Sequence, residues 1–202
     1  DWLGALESRA AAAGVAVAAA RRQTVEALDA ALEQDGGRFP RPHLEVVGEV
    51  EAWLADRPAL EVEERFAEAL AGNRRQDAET GTTALGPHRS DLLVRERATG
   101  RLAGECSTGQ QKALLVSVVL AEARLRAARG DQPPILLLDE IAAHLDAGRR
   151  VDLFEELCAL GTQAWLTGTD ALLFAPLGPR AQFFSVRDSA LFQHDPSNSG
   201  SA

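Results

Sequence analysis

The sequence contains no methionine and two widely separated cysteines, Cys106 and Cys158. Two isolated cysteines argue for reduced thiols and against a disulfide framework. The sequence has neither a Cys-x2-Cys nor a His-x3-His pair, so we expect no structural zinc site. Because the chain begins at Asp1 and lacks methionine, we expect a fragment of a longer protein or a processed chain.

Long apolar runs are also missing from the sequence. The nearest approach is the alanine-rich stretch 10–20, which Arg21 and Arg22 end at once. A membrane-spanning helix needs about 20 apolar residues, and no secretory signal is visible. We therefore predict a cytoplasmic protein with no membrane partner.

An excess of positive charge is missing as well, because the formal net charge is −9 at pH 7. A dedicated nucleic-acid binder usually has a basic surface, so this balance argues against one. The hydrophobic fraction of 46% and the charged fraction of 25% are those of a globular protein with a buried core.

Hydrophobic periodicity divides the chain into a helical part and an α/β part. Residues 2–34 and 60–77 have helical spacing. After residue 90 strands and helices alternate, which predicts an α/β fold with a parallel sheet. The strands are expected at 43–50, 91–96, 135–138, 163–167, 183–186 and 190–193, with helices at 108–129 and 149–160, whereas 49–55 stays undecided. We predict a helical lobe over 1–80, an α/β domain over 81–193 and a disordered tail over 194–202.

Two acids follow an apolar run in the segment Ile135-Leu-Leu-Leu-Asp139-Glu140. This pattern predicts carboxylates at the C-terminal end of a strand buried on both faces, where open α/β sheets bind ligands. Asp139 is then placed to hold Mg²⁺, through water, and Glu140 to polarise an attacking water. The arrangement is that of a Walker B motif, although a buried strand leading into an acidic turn fits equally well.

A second segment opens the long helix that begins after Cys106. Ser107 is a good N-cap residue, and Gln111 lies near capping-box spacing. The unpaired N–H groups and positive dipole end of such a helix suit a phosphate, and Gly109 lets a ligand approach the backbone. Taken alone, a plain helix cap is the favoured interpretation.

Order along the chain adds specificity to these motifs. Ala143-His-Leu145-Asp146 follows the two acids, and Thr167-Gly-Thr169-Asp170 follows the next strand. The four segments thus occur in the order signature helix, Walker B, D-loop and switch loop. Each gap fits one helix or one strand, so the ordered set is far more specific than any member.

Three segments resemble the RecF family of ABC-type ATPases. They are residues 81–91, which contain Gly86-Pro-His-Arg89, the signature Cys106-Ser-Thr-Gly-Gln-Gln-Lys-Ala-Leu114, and the run 135–150. The resemblance covers residues 1 to about 193. It implies that residues 81–193 are the C-terminal part of a P-loop NTPase head of the ABC type, with residues 1–80 as a helical arm.

The sequence departs from the family pattern in several places. Glu140 stands where the family commonly has a second Asp, which keeps the carboxylate. Ala143 lacks a hydroxyl usual in the D-loop, and Ser90 replaces a common acid. No Gly-x4-Gly-Lys-Ser/Thr occurs, so the Walker A loop that grips nucleotide is missing, and we expect this chain alone to be inactive.

The resemblance implies an ATPase in DNA repair, replication, recombination and the SOS response. Nucleotide on one subunit of an ATP-dependent homodimer would be capped by the partner's signature residues, which are Ser107, Thr108, Gly109, Gln110 and Gln111. Leu145 and Asp146 would form the D-loop, and Thr167 and Thr169 the switch loop. Implied partners are duplex DNA, single-strand/double-strand junctions, and RecO-like and RecR-like proteins that load recombinase at gaps.

Basic residues on helices are the candidate contacts to DNA phosphates. They are Arg21, Arg22, Arg74, Arg75 and Lys112. Each alone also fits a solvated helix face, and His88 and Arg89 fit either a ligand contact or the start of a strand. Two alternatives remain open, namely another ABC ATPase of the SMC type and a non-catalytic module that docks partners.

Overall fold

The computed structural model describes residues 2–34, 38–132 and 134–194. They form two compact units, which divide between Glu105 and Cys106. The second unit also takes in the short segment before Arg41. Phe39 lies in its core, and the Ser117 hydroxyl donates to the Pro40 carbonyl at 2.7 Å.

The described residues of the first unit form three α-helices and one antiparallel strand pair, with short 3-10 turns at Pro87–Arg89 and Ala103–Glu105. Its elements are α1 (Trp2–Gln34), β1 (Pro42–Val47), α2 (Glu49–Asp56), α3 (Ala59–Thr80) and β2 (Asp91–Glu96). β1 and β2 pair in a register that sets Val47 opposite Asp91 and Pro42 opposite Glu96. β2 therefore belongs with the helical part of the chain.

Close packing of α1 against α3 makes the core of this unit. The buried cluster contains Ala11, Val15, Ala18, Val50, Val62, Phe66 and Leu85. Gly14 lies at the closest approach, because a Cβ built there would come within 2.6 Å of the Phe66 ring. A larger residue at position 14 would therefore push the two helices apart.

The second unit holds a parallel strand pair and a hairpin. Its elements are α4 (Thr108–Ala128), β3 (Leu136–Leu138), α5 (Ala147–Leu160), β4 (Ala164–Leu166), β5 (Phe183–Arg187) and β6 (Ala190–His194). β3 and β4 are parallel, with Leu138 opposite Leu166. The predicted hairpin turn at Asp188 and Ser189 is confirmed, and both residues have positive φ, as two-residue hairpin turns favour.

One face of the parallel pair packs on the core of the second unit. Leu136 and Leu138 are buried with Phe154, whereas Leu137 between them is 75% exposed. Trp165, paired with Leu137, is 51% exposed. The prediction of a strand buried on both faces is therefore wrong for the described residues, because α4 and α5 cover one side of a strand whose side chains alternate.

Most predicted elements have the expected type, and a few details differ. Residues 49–55, left undecided, lie in α2. The capping-box partner of Ser107 is Gln110, not Gln111, because the box needs the third helical position. His194 is the last residue of β6, so the predicted tail starts one residue later, and residues 195–202 lie outside the described residues.

The boundary between the compact units lies after Glu105, whereas the predicted boundary lies after residue 80. The reason is the pairing of β2 with β1, which holds residues 91–96 in the first unit. The assignment of residues 81–193 to an ATPase head stays a prediction.

α1 is long and apolar enough to cross a bilayer by length and composition alone. Core helices of water-soluble proteins share both properties, so this one helix is weak evidence for a membrane segment. The prediction of a cytoplasmic protein with no membrane partner remains a prediction.

Candidate functional site

The two acids of the Walker B segment stand at the C-terminal end of β3. Asp139 and Glu140 directly follow Leu138, the last strand residue. Asp139 is exposed and Glu140 is half-buried. Glu140 has φ 53° and ψ 12°, a left-handed conformation that residues other than glycine rarely adopt. Such backbone conformations concentrate at functional sites, where surrounding contacts maintain them.

Thr167 joins both acids to the end of β4. Its N–H donates to the Leu138 carbonyl at 3.2 Å, which extends the parallel pairing beyond the strands. Its hydroxyl donates to Asp139 Oδ1 and accepts from the Glu140 N–H at 3.0 Å. The predicted switch-loop residue thus contacts the predicted Walker B residues directly.

The predicted D-loop, residues 143–146, lies at the end of a short 3-10 helix, Ile141–His144, and contains buried Leu145. Asp146 caps α5 by accepting the Arg149 N–H at 2.9 Å. Arg150 Nη1 donates to the carbonyls of Ala142 at 3.1 Å and Leu145 at 3.4 Å. These bonds fix the loop from the α5 side.

The signature segment forms the N-terminus of α4. The Ser107 side chain accepts the Gln110 N–H at 3.3 Å, and the Gln110 side chain accepts the Ser107 N–H at 3.0 Å. Gln111 Nε2 donates to the Cys106 carbonyl at 2.9 Å. The cap leaves the N–H groups of the first turn without helical acceptors, which suits an anion.

Gly109 connects the signature segment with the D-loop. A Cβ built at Gly109 would lie 3.5 Å from the His144 carbonyl oxygen. Hydrogen bonds therefore join the predicted Walker B and switch residues, and the predicted signature segment lies beside the predicted D-loop. Thr169 is exposed, while Asp170 caps the next turn by accepting the Leu172 N–H at 2.9 Å.

Arg150 is a residue of this site that the sequence reasoning did not assign. Arg149 and Arg150 belong to a segment that resembles the RecF family, and the sequence predicted no role for the Arg150 side chain. The signal available was its position, because Arg150 follows the Asp146 cap by one helical turn. A residue there reaches back over the preceding loop.

Four of the five predicted DNA contacts are cations of the first unit that already have partners. Arg21 donates to the Pro87 carbonyl, and Arg22 to Glu26 and the Glu51 carbonyl, both at 3.4 Å. The other two form ion pairs, Arg74 with Glu7 at 2.6 Å and Arg75 with Glu79 at 3.1 Å. Their role in DNA binding stays a prediction, as does that of half-buried Lys112 in the second unit.

The ion pair between Arg74 and Glu7 shifts the pKa values of both side chains in the directions expected for opposite charges. The hydrogen bond from Arg74 lowers the pKa of Glu7, and the same bond raises the pKa of Arg74. Arg74 is exposed and Glu7 is half-buried, so water still screens the charges and this pair adds little to stability.

The Gly86-Pro-His-Arg89 stretch braces a loop of the first unit. His88 Nε2 lies 2.8 Å from the Thr83 carbonyl oxygen, and Arg89 Nε donates to the same oxygen at 3.2 Å. Ser90 donates to the buried Glu51 carboxylate at 2.7 Å. These contacts favour a structural role over the ligand contact that the sequence left open for His88 and Arg89.

Curated relatives match nearly the whole chain. The chain is 52% identical over 187 residues to the DNA replication and repair protein RecF of Mesorhizobium japonicum. It is 48% identical over 193 residues to the protein of the same name from Allorhizobium ampelinum. These matches cover 92% and 95% of the chain. The chain belongs to the RecF family. It aligns with the C-terminal half of RecF and spans about half the length of these relatives, 49% and 51%.

Solved structures of RecF share the fold. Two structures of the recombination mediator protein RecF in the RecFOR pathway, RecF-ATPrS and RecF-ATP, match with TM-scores of 0.72 and 0.70. Each match covers 96% of the chain and 50% of the solved RecF chain, at 21% and 20% identity. The fold is thus that of the matching half of RecF, a mixture of helices and strands with a parallel sheet, and it is consistent with part of an ABC-type ATPase head. No family model matches the chain.

Proposed function

We propose that the intact protein is a RecF-type ATPase of DNA repair, and that this chain supplies the catalytic acids and the nucleotide-capping helix. The observation that carries the proposal is the hydrogen-bonded group of Asp139, Glu140 and Thr167 at the carboxyl end of β3. The capped α4 terminus beside the D-loop supports it, since both belong to one ordered motif set.

Glu140 is the general base of the proposed reaction. Its carboxylate accepts a proton from water while the water oxygen bonds to the γ-phosphorus. The bond from the γ-phosphorus to the bridging oxygen breaks, and ADP leaves with the electron pair. Positioning and charge stabilisation supply most of the catalysis in phosphoryl transfer, so a fixed Glu140 backbone suits this role.

Asp139 fits a magnesium ion that is shared with nucleotide. Among residues 2–34, 38–132 and 134–194, no group of three His, Cys, Asp or Glu side chains could hold a metal. Mg²⁺ commonly takes one or two carboxylates together with phosphates and waters, so exposed Asp139 is sufficient. The ion would neutralise phosphate charge during transfer.

The α4 terminus is proposed to cap nucleotide held by a second copy of the protein. Ser107, Thr108 and Gly109 present the first turn of a helix whose end carries partial positive charge. A site shared by two subunits makes hydrolysis depend on assembly. By analogy with the RecFOR proteins, the dimer would bind duplex DNA and its junctions and act with RecO-like and RecR-like partners in loading recombinase.

The substitution Glu140→Gln in the intact protein tests the catalytic assignment. We expect ATP turnover to fall by about 10²–10⁴-fold, because general base catalysis contributes that much. ATP-driven dimers should then persist, since product formation no longer releases them. Turnover is measured by phosphate release.

The matched control is Glu64→Gln, which removes the same charge from an exposed position on α3. It should keep wild-type turnover. Unchanged phosphate release by Glu140→Gln would rule out Glu140 as the base.

A further inference from the structure

The hydroxyl of Thr167 has two opposite hydrogen-bonding roles at the end of the parallel strands. It donates to Asp139 Oδ1 and accepts from the Glu140 N–H. A hydroxyl can donate and accept at once without carrying charge. Valine has the same shape as threonine but supports neither bond.

The left-handed backbone of Glu140 needs this support. A non-glycine residue at φ 53° has a less favourable backbone energy than in the right-handed region. The Glu140 N–H is directed into its bond with Thr167 in this conformation. Loss of the acceptor would remove that bond and let the acid adopt other backbone conformations.

The backbone on both sides of the Thr167 side chain is held by contacts within the second unit. Its N–H pairs with Leu138, and Gly168 follows at a close approach to Phe174. A Cβ at Gly168 would come within 2.8 Å of the Phe174 ring, which packs 6.3 Å from the Phe154 ring between centroids. The residue that follows Thr167 is therefore packed closely against aromatic side chains of the second unit.

We propose that Thr167 is a positioning residue, whose hydroxyl holds the Asp139 carboxylate and the Glu140 backbone in the geometry required for water attack. This inference rests on the proposed ATPase function. It assigns Thr167 no contact with nucleotide. Its effect is exerted through the two acids.

Thr167→Val and Thr167→Ser in the intact protein separate the hydroxyl from the side-chain shape. We expect Thr167→Val to lower kcat for ATP by about 10–100-fold, the usual loss when a partner that orients a ligand-binding carboxylate is removed. KM for ATP should stay within about twofold, because only the chemical step is affected. Thr167→Ser should restore kcat to near the wild-type value.

A double-mutant cycle provides the second measurement. In a Glu140→Gln background, Thr167→Val should cause a smaller further loss of turnover than in the wild type, because only the support of Asp139 remains to be lost. A full additional loss, or a raised KM with unchanged kcat, would overturn the positioning role. A serine variant as slow as the valine variant would overturn it too. Where Thr167→Val fails to fold, a folded Thr167→Ser variant whose kcat falls well below the wild-type value overturns the role by itself.

Failure of the proposed function is a different outcome. If the intact wild-type protein does not hydrolyse ATP, the ATPase assignment itself is wrong, and if it does but Glu140→Gln keeps wild-type turnover, Glu140 is not the base. If turnover depends on Glu140 but Thr167→Val keeps wild-type kcat, only the positioning role is wrong.

Discussion

Asp29 joins three parts of the first unit through one carboxylate. It accepts the Leu44 N–H at 2.9 Å and a bond from Arg97 at 2.6 Å, and it lies 3.1 Å from His43 Nδ1. Burial alone would raise the pKa of Asp29, but the bonds from Leu44 and Arg97 outweigh it and lower the pKa. The cluster attaches α1 to β1 and to the chain just after β2.

Replacing Asp29 by asparagine should change how the free energy of unfolding depends on pH. The folded pKa of Asp29 lies below its value of about 3.9 in unfolded chains. Its contribution is therefore present above that value and is lost as the pH falls through the folded pKa. We expect Asp29→Asn to reduce the free energy of unfolding at pH 7 by about 1.5–3 kcal/mol, the range for hydrogen bonds to charged groups.

Urea unfolding of the intact protein at pH 7 and near pH 3 measures the effect. The difference between wild type and Asp29→Asn should shrink at the lower pH, because the unfolded carboxyl binds a proton there before the folded one does. Asp56→Asn removes a charge from the exposed end of α2 and should change stability little. An equal loss for Asp29→Asn at both pH values would contradict the assignment.

At the same scale, the sequence could name the site residues but not their contacts. Asp139, Glu140 and Thr167 follow from the motif order. The bonds among them depend on the register between β3 and β4, which pairs residues 28 positions apart. The left-handed conformation of Glu140 has no local signal, because its contact with Thr167 forms only when the strands pair. The only local signal for Arg150 is its spacing from Asp146.

Elements with a strong periodic pattern are those that the sequence predicted well. α1 and β2 have the expected bounds, since their apolar spacing and flanking turn residues are local signals. The 3-10 segment Ala171–Arg180 was not predicted, because it contains Pro176 and Pro179 and depends on packing of residues such as Leu177. α2 was undecided for the same reason, since burial of Val50 needs α1 and α3 beside it.

The N-terminus of α4 allows a test of nucleotide capping that spares the helix. Asp and Asn are both as good at the N-cap as Ser, so Ser107→Asp and Ser107→Asn should both keep the capped helix. Only the aspartate adds negative charge where a phosphate is proposed to bind. We expect Ser107→Asp to lose ATP-driven dimers and Ser107→Asn to retain them.

Size-exclusion chromatography with light scattering measures the dimers, in a Glu140→Gln background that slows hydrolysis. Thermal unfolding verifies that both caps are retained. Dimers that persist equally in the aspartate and asparagine variants would exclude α4 as the capping element.

At the scale of the whole chain, charge limits how DNA can be bound. The net charge of −9 gives no long-range attraction to phosphates, so any binding must come from particular cations. The four arginine candidates in the first unit are engaged with carbonyls or carboxylates. For these arginines to bind phosphate, each must first break an existing contact, and this cost offsets part of the binding free energy. For Lys112 on α4, the described residues show no hydrogen bond or ion pair that would have to be broken first.

The salt dependence of duplex binding by the intact protein tests this argument. Each neutralised phosphate adds about −0.9 to the slope of log K against log salt concentration. We expect Lys112→Gln to make that slope less steep by about one contact. Arg57→Gln, an equal loss of charge at the exposed end of α2, should leave the slope unchanged. A wild-type affinity that does not depend on salt would contradict phosphate contacts altogether. An unaltered slope in Lys112→Gln would assign the phosphate contacts to the arginines, whose existing contacts would then have to break on binding.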